Sequence, residues 1–234
     1  MKRKTEYPMI LAIQESVLLE IDVQNDFCPS YITASGEKRP PGALAVAGGD
    51  AVIRPLNALA VRFAGEGGRV IATADWHPAG HCSFAASYAG KKPGDAVSLP
   101  GAGEQVLWPA HCVQGTEGAA FHDRLDLRPV NFIIRKGFRR NLDSYSAFFE
   151  NDRKTPTGLD GFLKGLGVKT VVLGGLATDY CVLYSALDAA ALGYRTVVLK
   201  DAIRGVGLPE GSVEKALADM EAAGIVLLDS GELA

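Results

Sequence analysis

The chain contains 234 residues, of which 47% are hydrophobic, and it carries a net charge of -3. This length and composition allow a full core, and no linker or charge run divides the sequence, so we predict one domain over residues 1–234. The slightly negative charge argues against nucleic acid or an anionic membrane as a partner. A small molecule is therefore the expected partner.

Residues 1–15 are predicted to form an N-terminal extension of this domain. Basic residues at 2–4 are followed by a short apolar run at 9–13, which cannot serve as an export signal or a membrane anchor. The four cysteines show no CxxC spacing. This pattern indicates reduced thiols in a cytoplasmic protein.

Apolar segments that predict strands alternate along the chain with segments that predict helices. The strands are predicted at 16–22, 69–75, 131–136, 171–173, 195–199 and 225–228, and the helices at 50–62, 144–150, 159–166, 180–192 and 209–223. This alternation predicts an α/β fold, a Rossmann-like three-layer α/β/α structure with a six-stranded, mostly parallel sheet. The glycine-rich and proline-rich stretch 76–117 lacks regular periodicity and is predicted to be a long loop that walls a pocket.

Polar residues follow several of the predicted strands. Asp22, Asp75, Lys136 and the turn at 175–181 each come at the carboxyl end of a strand. In an open α/β sheet those ends share one edge, where ligands bind. Asp201 also follows a predicted strand, and we expect it to serve as a turn or cap residue.

The turn at 175–181 places Cys181 where a thiol can react. Gly174 and Gly175 end the strand, and Thr178 is the expected N-cap of the next helix, so Cys181 would lie at the third helical position. Backbone amides there favour a thiolate and can bind an oxyanion. A buried structural cysteine is the alternative for this residue taken alone.

Asp22 and Lys136 complete a candidate catalytic group with Cys181. The Asp22 carboxylate can take the thiol proton as a general base, and a lysine nearby would lower the pKa values of both acids. Taken singly, Asp22 could only cap a turn, and Lys136 could be a solvated strand end. Their arrival at one edge together with Cys181 favours catalysis.

A second group contains histidines and indicates a metal site. Asp75 and His77 project from an extended strand end toward one side, and His111 from the long loop can close one face of an ion. Such ligands suit a catalytic Zn²⁺, Mn²⁺ or Fe²⁺ with open positions. His81 is either a ligand or a hydrogen-bonded neighbour. Ligation by Cys82 or Cys112 would instead indicate a soft, structural site, and His122 is expected to be structural.

From about residue 16 onward, five motifs in order carry a family resemblance. They are 21–27 (IDVQNDF), 75–78 (DWHP), 108–112 (WPAHC), 136–137 (KG) and 175–182 (GLATDYCV). On these motifs the sequence resembles the nicotinamidases of the isochorismatase-like cysteine hydrolase superfamily.

The resemblance implies roles for individual residues. It implies a catalytic triad of Asp22, Lys136 and Cys181, and a cis Leu176–Ala177 peptide that aims the Ala177 amide, with that of Cys181, at the oxyanion. It also implies one divalent ion, zinc in first place with manganese or iron as alternatives. The remaining residues that it implies are Asp75, His77 and His111 as metal ligands, His81 as a ligand in some members only, Phe27 and Trp108 around a pyridine ring, and Tyr145 at the pocket edge. For Phe27 alone, core packing is the alternative.

The function implied by the resemblance is hydrolysis of a linear amide. A metal-dependent cysteine amidase would convert nicotinamide to nicotinate and ammonia through a thioester, as a step of NAD salvage and pyridine nucleotide biosynthesis. Acceptance of pyrazinamide and assembly into a homo-oligomer stay open. The alternatives are a metal-independent amidase or carbamoyl hydrolase of the same superfamily, and a non-catalytic protein that binds a metal or a metabolite.

Overall fold

The computed structural model describes residues 10–233. In this range the strands are β1 (Ser16–Ile21), β2 (Tyr31–Ile32), β3 (Lys38–Arg39), β4 (Arg69–Asp75), β5 (Ala96–Leu99), β6 (Gly103–Val106), β7 (Phe132–Lys136), β8 (Thr170–Leu176), β9 (Arg195–Arg204) and β10 (Val226–Leu228). The α-helices are α1 (Ile53–Gly65), α2 (Leu159–Gly165), α3 (Leu183–Ala191) and α4 (Ser212–Ala222).

Six of these strands form one parallel sheet in the order β10-β9-β8-β1-β4-β7. Side chains alternate between its two faces: on β1, Leu18 packs in the core beneath α1, whereas Val17, Leu19 and Ile21 pack in the core beneath α2, α3 and α4. The predicted three-layer α/β/α fold is therefore confirmed. Because both faces are covered, β1 and β8 are apolar along nearly their whole length.

The prediction of a short helix at 144–150 is wrong. This segment has bends at 146–148 and an isolated bridge from Phe149 to Pro156, and it contains no helical turn. The Ser144 hydroxyl donates to the carbonyl oxygens of Ser146 and Phe149, and the Ser146 hydroxyl accepts from the Phe148 amide. Serine side chains thus compete with the helical backbone bonds and replace them.

Strand β9 continues to Arg204, past the predicted end at residue 199. A register shift between Leu173 and Gly175 lets β9 pair with β8 again. Asp201 therefore lies inside a strand and not in a turn, which corrects its predicted position. Its carboxylate accepts hydrogen bonds from the amide and hydroxyl of Ser230, at 2.8 and 2.5 Å, and so holds the start of the C-terminal turn.

The long segment 76–117 is mostly irregular, as predicted, but it contains the antiparallel hairpin of β5 and β6. Of the predicted N-terminal extension, residues 1–9 lie outside the described residues, whereas Leu11 and Ile13 are buried in the core beneath α1. Between residues 10 and 233, none of the helices has the length and hydrophobicity needed to span a bilayer.

Candidate active site

The carboxyl ends of four neighbouring strands meet at a buried cluster of charged and acidic groups, here called the polar centre. It consists of Asp22 after β1, Asp75 at the end of β4, Lys136 at the end of β7, and Cys181 beyond β8. Lys136 Nζ lies 2.8 Å from Asp22 Oδ2 and 3.3 Å from Cys181 Sγ, and it pairs with Asp75 Oδ1. The structure therefore brings together the four residues that the strand ends predict.

Lys136 is enclosed in this centre. Its side chain is 0% exposed, so it is not the solvated strand end considered as an alternative. Its ammonium also donates to the Ser144 carbonyl oxygen at 3.0 Å. A buried cation needs compensating charge, and Asp22 and Asp75 supply it. Lys136 thus ties the two carboxylates and the thiol to one point.

Burial sets the direction of the pKa shifts of two groups in the polar centre, Cys181 and Asp22. It raises the pKa of the Cys181 thiol well above its ordinary value and also raises the pKa of Asp22, although Lys136 opposes both shifts. The expectation that Lys136 lowers both pKa values is therefore wrong in net direction, because desolvation outweighs a single cation. Burial disfavours the charge on Lys136, but Asp22 and Asp75 hold its pKa well above the ordinary value. Lys136 is thus the fixed positive charge, and the thiol keeps its proton until a base takes it.

The turn that carries Cys181 differs from the predicted helix start. Residues Thr178–Val182 form a π-helical turn ahead of α3, and no side chain caps it, so Thr178 is not the N-cap. The Ala177 carbonyl oxygen instead accepts from the amides of Tyr180 and Val182, both at 3.1 Å. Such π turns are frequent at functional sites. The Leu176–Ala177 peptide is cis, as the resemblance implies.

Thr73 orients the carboxylate of Asp22. Its hydroxyl donates to Asp22 Oδ1 at 2.5 Å, and the Asp22 amide donates to that hydroxyl oxygen at 3.1 Å. Oδ1 is thereby held, and Oδ2 faces Lys136. Sequence reasoning missed Thr73, although its place two residues before Asp75 on β4 puts both side chains on one face.

Beside the polar centre, Asp75, His77 and His111 form a group suited to hold a metal ion, here called the ligand group. Asp75 Oδ2 lies 3.5 Å from His77 Nε2 and 3.9 Å from His111 Nε2. His77 Nδ1 bonds the Gly137 carbonyl oxygen and His111 Nδ1 bonds that of Pro109, each at 2.8 Å. A carbonyl partner fixes the proton on Nδ1 and leaves the Nε2 lone pair free to ligate.

The electrostatics of the ligand group fit a cation that displaces a proton from His77: burial opposes the charge on His77, but Asp75 outweighs burial and raises the pKa of this imidazole. Burial opposes the charge on Asp75, but Lys136 and His77 outweigh it and hold the Asp75 pKa below its ordinary value. Burial together with His77 lowers the pKa of His111 to about 4, so this imidazole is neutral and can ligate. Three buried ligand atoms within 4.8 Å of one another leave open positions for a substrate.

His81 lies next to this group but is not part of it. Its ring stacks on that of His77 with centroids 4.2 Å apart, and its Nδ1 bonds the Ser83 hydroxyl at 2.8 Å. With His77 and Asp143 it forms a second cluster of potential ligand atoms. Asp143 was not predicted, because it lies just before the segment 144–150 that was mistaken for a helix, and no motif marks it.

The cysteines other than Cys181 take no part in either cluster. Cys82 and Cys112 belong to none of the candidate ligand groups among residues 10–233. Burial raises the pKa of Cys82 to about 12 and that of Cys112 well above its ordinary value, which disfavours the thiolates that ligation needs. His122 lies away from the site, where its ring packs 3.8 Å from that of Tyr31.

A cavity opens over Cys181 and the ligand group. Phe27, Trp108 and Tyr145 line it, as the resemblance implies. The Tyr145 hydroxyl oxygen accepts from Trp108 Nε1 at 3.2 Å and lies 3.0 Å from Nε2 of Gln105, which the β5–β6 hairpin brings to the site. Sequence reasoning missed Gln105 and four of the lining residues, which are Leu44, Asp143, Tyr180 and Val206. Of these, only Tyr180 lies in a motif, and the sequence assigned it no role there.

Comparison with known proteins shows which family has a similar sequence and structure. The family model described as Isochorismatase domain matches residues 16–232. A nicotinamidase from Acinetobacter baylyi is 46% identical over 213 residues, which cover 91% of this chain and 92% of that protein. A solved nicotinamidase pyrazinamidase from Acinetobacter baumanii has a TM-score of 0.85 at 45% identity and covers 94% of this chain and 99% of its own. A pyrazinamidase of Pyrococcus horikoshii, solved in complex with zinc, has a TM-score of 0.71 at 33% identity, and the match covers 92% of this chain and 99% of that chain.

Proposed function

The chain belongs to the isochorismatase domain family, and on that premise we propose that it hydrolyses nicotinamide to nicotinate and ammonia as a metal-dependent cysteine amidase. The observation that carries the proposal is the contact of Lys136 with Asp22 and with Cys181 Sγ, beneath a cavity that also reaches the ligand group. Relatives at 46% and 45% identity that are named nicotinamidases support it.

In the proposed first half-reaction, Asp22 takes the proton of the Cys181 thiol, and Sγ forms a bond to the carboxamide carbon. The carbonyl electron pair moves to oxygen, where the backbone amides of Ala177 and Cys181 stabilise it. When the C–N bond breaks, the leaving nitrogen takes the proton from Asp22 and departs as ammonia. Lys136 exchanges no proton and balances the negative charge throughout. A thioester on Cys181 results.

Water completes the cycle. Asp22 removes a proton from the water molecule, whose oxygen forms a bond to the acyl carbon. The C–S bond then breaks, Sγ recovers the proton from Asp22, and the second proton of the water passes to solvent as nicotinate leaves. Because Thr73 holds Oδ1 of Asp22, both proton transfers would use Oδ2. One carboxylate thus serves as base and acid in turn.

The walls of the cavity account for the choice of an aromatic ring. Phe27 and Trp108 are apolar and buried, and we place the pyridine ring between them with Tyr145 at its edge. Asp75, His77 and His111 would hold the ion, for which we propose zinc because a zinc complex is recorded for the Pyrococcus horikoshii relative. Held by these residues, the ion would supply a Lewis acid for the ring nitrogen and so help to orient the carboxamide.

The cellular setting follows from the same proposal. The product nicotinate places the reaction in NAD salvage, and four free cysteines fit a reducing compartment, for which we propose the cytoplasm. The ligand group counts against a metal-independent carbamoyl hydrolase, and the complete polar centre counts against a protein that only binds a metabolite.

The proposal predicts that the purified protein releases one ammonia and one nicotinate per nicotinamide consumed. Benzamide, which lacks the ring nitrogen, should react at least tenfold more slowly because it has no ligand atom for the ion. A chelator should remove the activity, and added Zn²⁺ should restore it. The measurements are a coupled ammonia assay and chromatography of nicotinate. Turnover of a carbamoyl substrate but not of nicotinamide would contradict the proposal, and indifference to the chelator would contradict the role of the ion.

Replacing Gly137 with alanine should weaken ion binding at least tenfold. A Cβ atom at Gly137 would lie 2.4 Å from Cε1 of His77, at a backbone φ of +63° that side chains rarely adopt. The His77 ring must therefore move away from the carbonyl oxygen that orients it. Competition with a chromophoric chelator measures the affinity without reference to activity. The matched control is Gly161→Ala in α2, where an added Cβ meets nothing within 4 Å. Equal zinc affinities in both variants would contradict this account of His77.

A further inference from the structure

Asp179, two residues before Cys181, binds a distant loop with its whole carboxylate. Oδ1 accepts from the Val206 amide at 2.9 Å, and Oδ2 accepts from the Gly207 amide at 2.8 Å and from the Ser212 hydroxyl at 2.6 Å. These donors belong to residues 205–212, here called the wall loop, which connect β9 to α4 and include Ser212, the first residue of α4. Asp179 itself is buried, with only 5% of its surface exposed. The carboxylate thus joins the turn of Cys181 to a loop about thirty positions along the chain.

The wall loop forms one side of the cavity. Val206 lines the cavity together with Ala177, Tyr180 and Cys181. The Tyr180 hydroxyl donates to the Leu208 carbonyl oxygen, so the next residue along the turn holds the same loop at a second point. The backbone of the wall loop comes close to Asp179 at Gly205, where an added Cβ would lie 3.1 Å from Asp179 Oδ1 and 2.3 Å from Val213. The position of Val206 is therefore set by contacts with the turn of Cys181.

We propose that Asp179 is a positioning residue that fixes Val206 against the cavity and thereby sets the fit of the substrate ring over Cys181. The inference rests on the proposed hydrolysis of nicotinamide. Asp179 touches neither the reacting atoms nor the ligand group. It acts through two backbone amides of the wall loop, and a carboxylate that interacted only with the dipole of its own turn would not make three hydrogen bonds to that loop.

The test variant is Asp179→Asn. An asparagine keeps one acceptor oxygen and turns an NH₂ group toward at least one of the three donors, so the wall loop loosens while the side-chain volume is kept. We expect KM for nicotinamide to rise about tenfold with kcat within about threefold, because contact with the unreactive part of a ring stabilises substrate and transition state alike. Amide hydrogen exchange of a peptide covering residues 205–212 should quicken, and that of β8 should not.

Four further variants and a matched control separate positioning from general stability. Val206→Ala should raise KM by itself, and the double variant Asp179→Asn with Val206→Ala should raise it no further than the larger single effect, since both act through one wall. Ser212→Ala removes one donor and should give a smaller rise in KM, which Ser212→Thr should reverse. The matched control is Asp188→Asn in α3, a buried aspartate that pairs with Arg153, and it should leave KM unchanged.

The outcomes that overturn the inference are distinct from those that overturn the function. A wild-type protein that does not hydrolyse nicotinamide contradicts the proposed function, whereas the exchange measurement still reports whether Asp179 holds the wall loop. Unchanged exchange at 205–212 in Asp179→Asn contradicts the role of this residue. So does a fall in kcat at constant KM, or a double variant whose effects on KM multiply.

Discussion

Replacing Cys181 with alanine is expected to abolish nicotinamide hydrolysis while the fold and the bound ion are retained. The polar centre brings Lys136 and Asp22 to this one sulfur atom, so loss of Sγ leaves the base without a nucleophile to activate. Removing the nucleophile of such a group lowers kcat by about 10⁴-fold or more. Deletion of a single buried sulfur costs only about 1 kcal/mol of stability.

Three measurements on the Cys181→Ala variant check this prediction: ammonia release, zinc content and thermal unfolding. The matched control is Cys28→Ala, which removes an equally buried thiol from the core beneath α1 and should retain full activity. In the wild type, mass spectrometry after an acid quench should detect an acyl group on the peptide that contains Cys181. Activity in Cys181→Ala above about one per cent of wild type would rule out covalent catalysis at this residue.

The polar centre could be predicted from the sequence because it depends on a topological rule. Buried parallel strands are continuous apolar runs, and their carboxyl ends share one edge. Asp22, Asp75, Lys136 and Cys181 each follow such a run, so their meeting needs no knowledge of loop conformation. The same rule applied to Asp201 gave a wrong position, because β9 continues after a register shift that no sequence signal marks.

What the sequence could not predict depends on the packing of loops. The cavity walls Leu44, Asp143 and Val206 come from three irregular segments whose path is set by tertiary contacts. The directions of the Cys181 and Asp22 pKa shifts follow from complete burial, which becomes known only once those loops cover the sheet edge. Short-range signals also compete: serine side chains replaced the helix expected at 144–150.

Glu20 is a buried acid to which the proposed mechanism gives no task. It lies in β1 between Ala72 and Gly174 of the neighbouring strands, and it is 0% exposed. Among residues 10–233, neither of its carboxyl oxygens has a hydrogen-bond partner. Burial, with a contribution from the negative charge of Asp126, raises the pKa of Glu20 from 4.5 to about 8. The native protein therefore keeps this carboxyl protonated near neutral pH, whereas the unfolded chain releases the proton.

This difference makes stability depend on pH with a definite sign. The pKa of Glu20 is higher in the folded than in the unfolded state, so its contribution is fully favourable below about pH 4.5 and is lost as the pH rises to about 8. Between pH 5 and pH 7 the loss is about 2 to 3 kcal/mol. Replacing Glu20 with glutamine, which has no proton to release, should remove this loss. The variant should then be more stable than wild type by about 3 kcal/mol at pH 7 and by about 1 kcal/mol at pH 5.

Urea unfolding of both proteins at several pH values from 5 to 8 measures the difference in the free energy of unfolding and cancels the titration of all other groups. The matched control is Glu104→Gln, which replaces an exposed glutamate on β6. Its free energy of unfolding should differ from that of wild type by the same amount at every pH from 5 to 8. For Glu20→Met, the difference in the free energy of unfolding from wild type should grow with pH as steeply as for Glu20→Gln. It should be larger at every pH, because an apolar side chain also removes the unpartnered polar group. If the stability difference between Glu20→Gln and wild type does not grow with pH, the prediction is contradicted. That result would mean that the Glu20 carboxyl is already ionised in the native protein although it has no partner there.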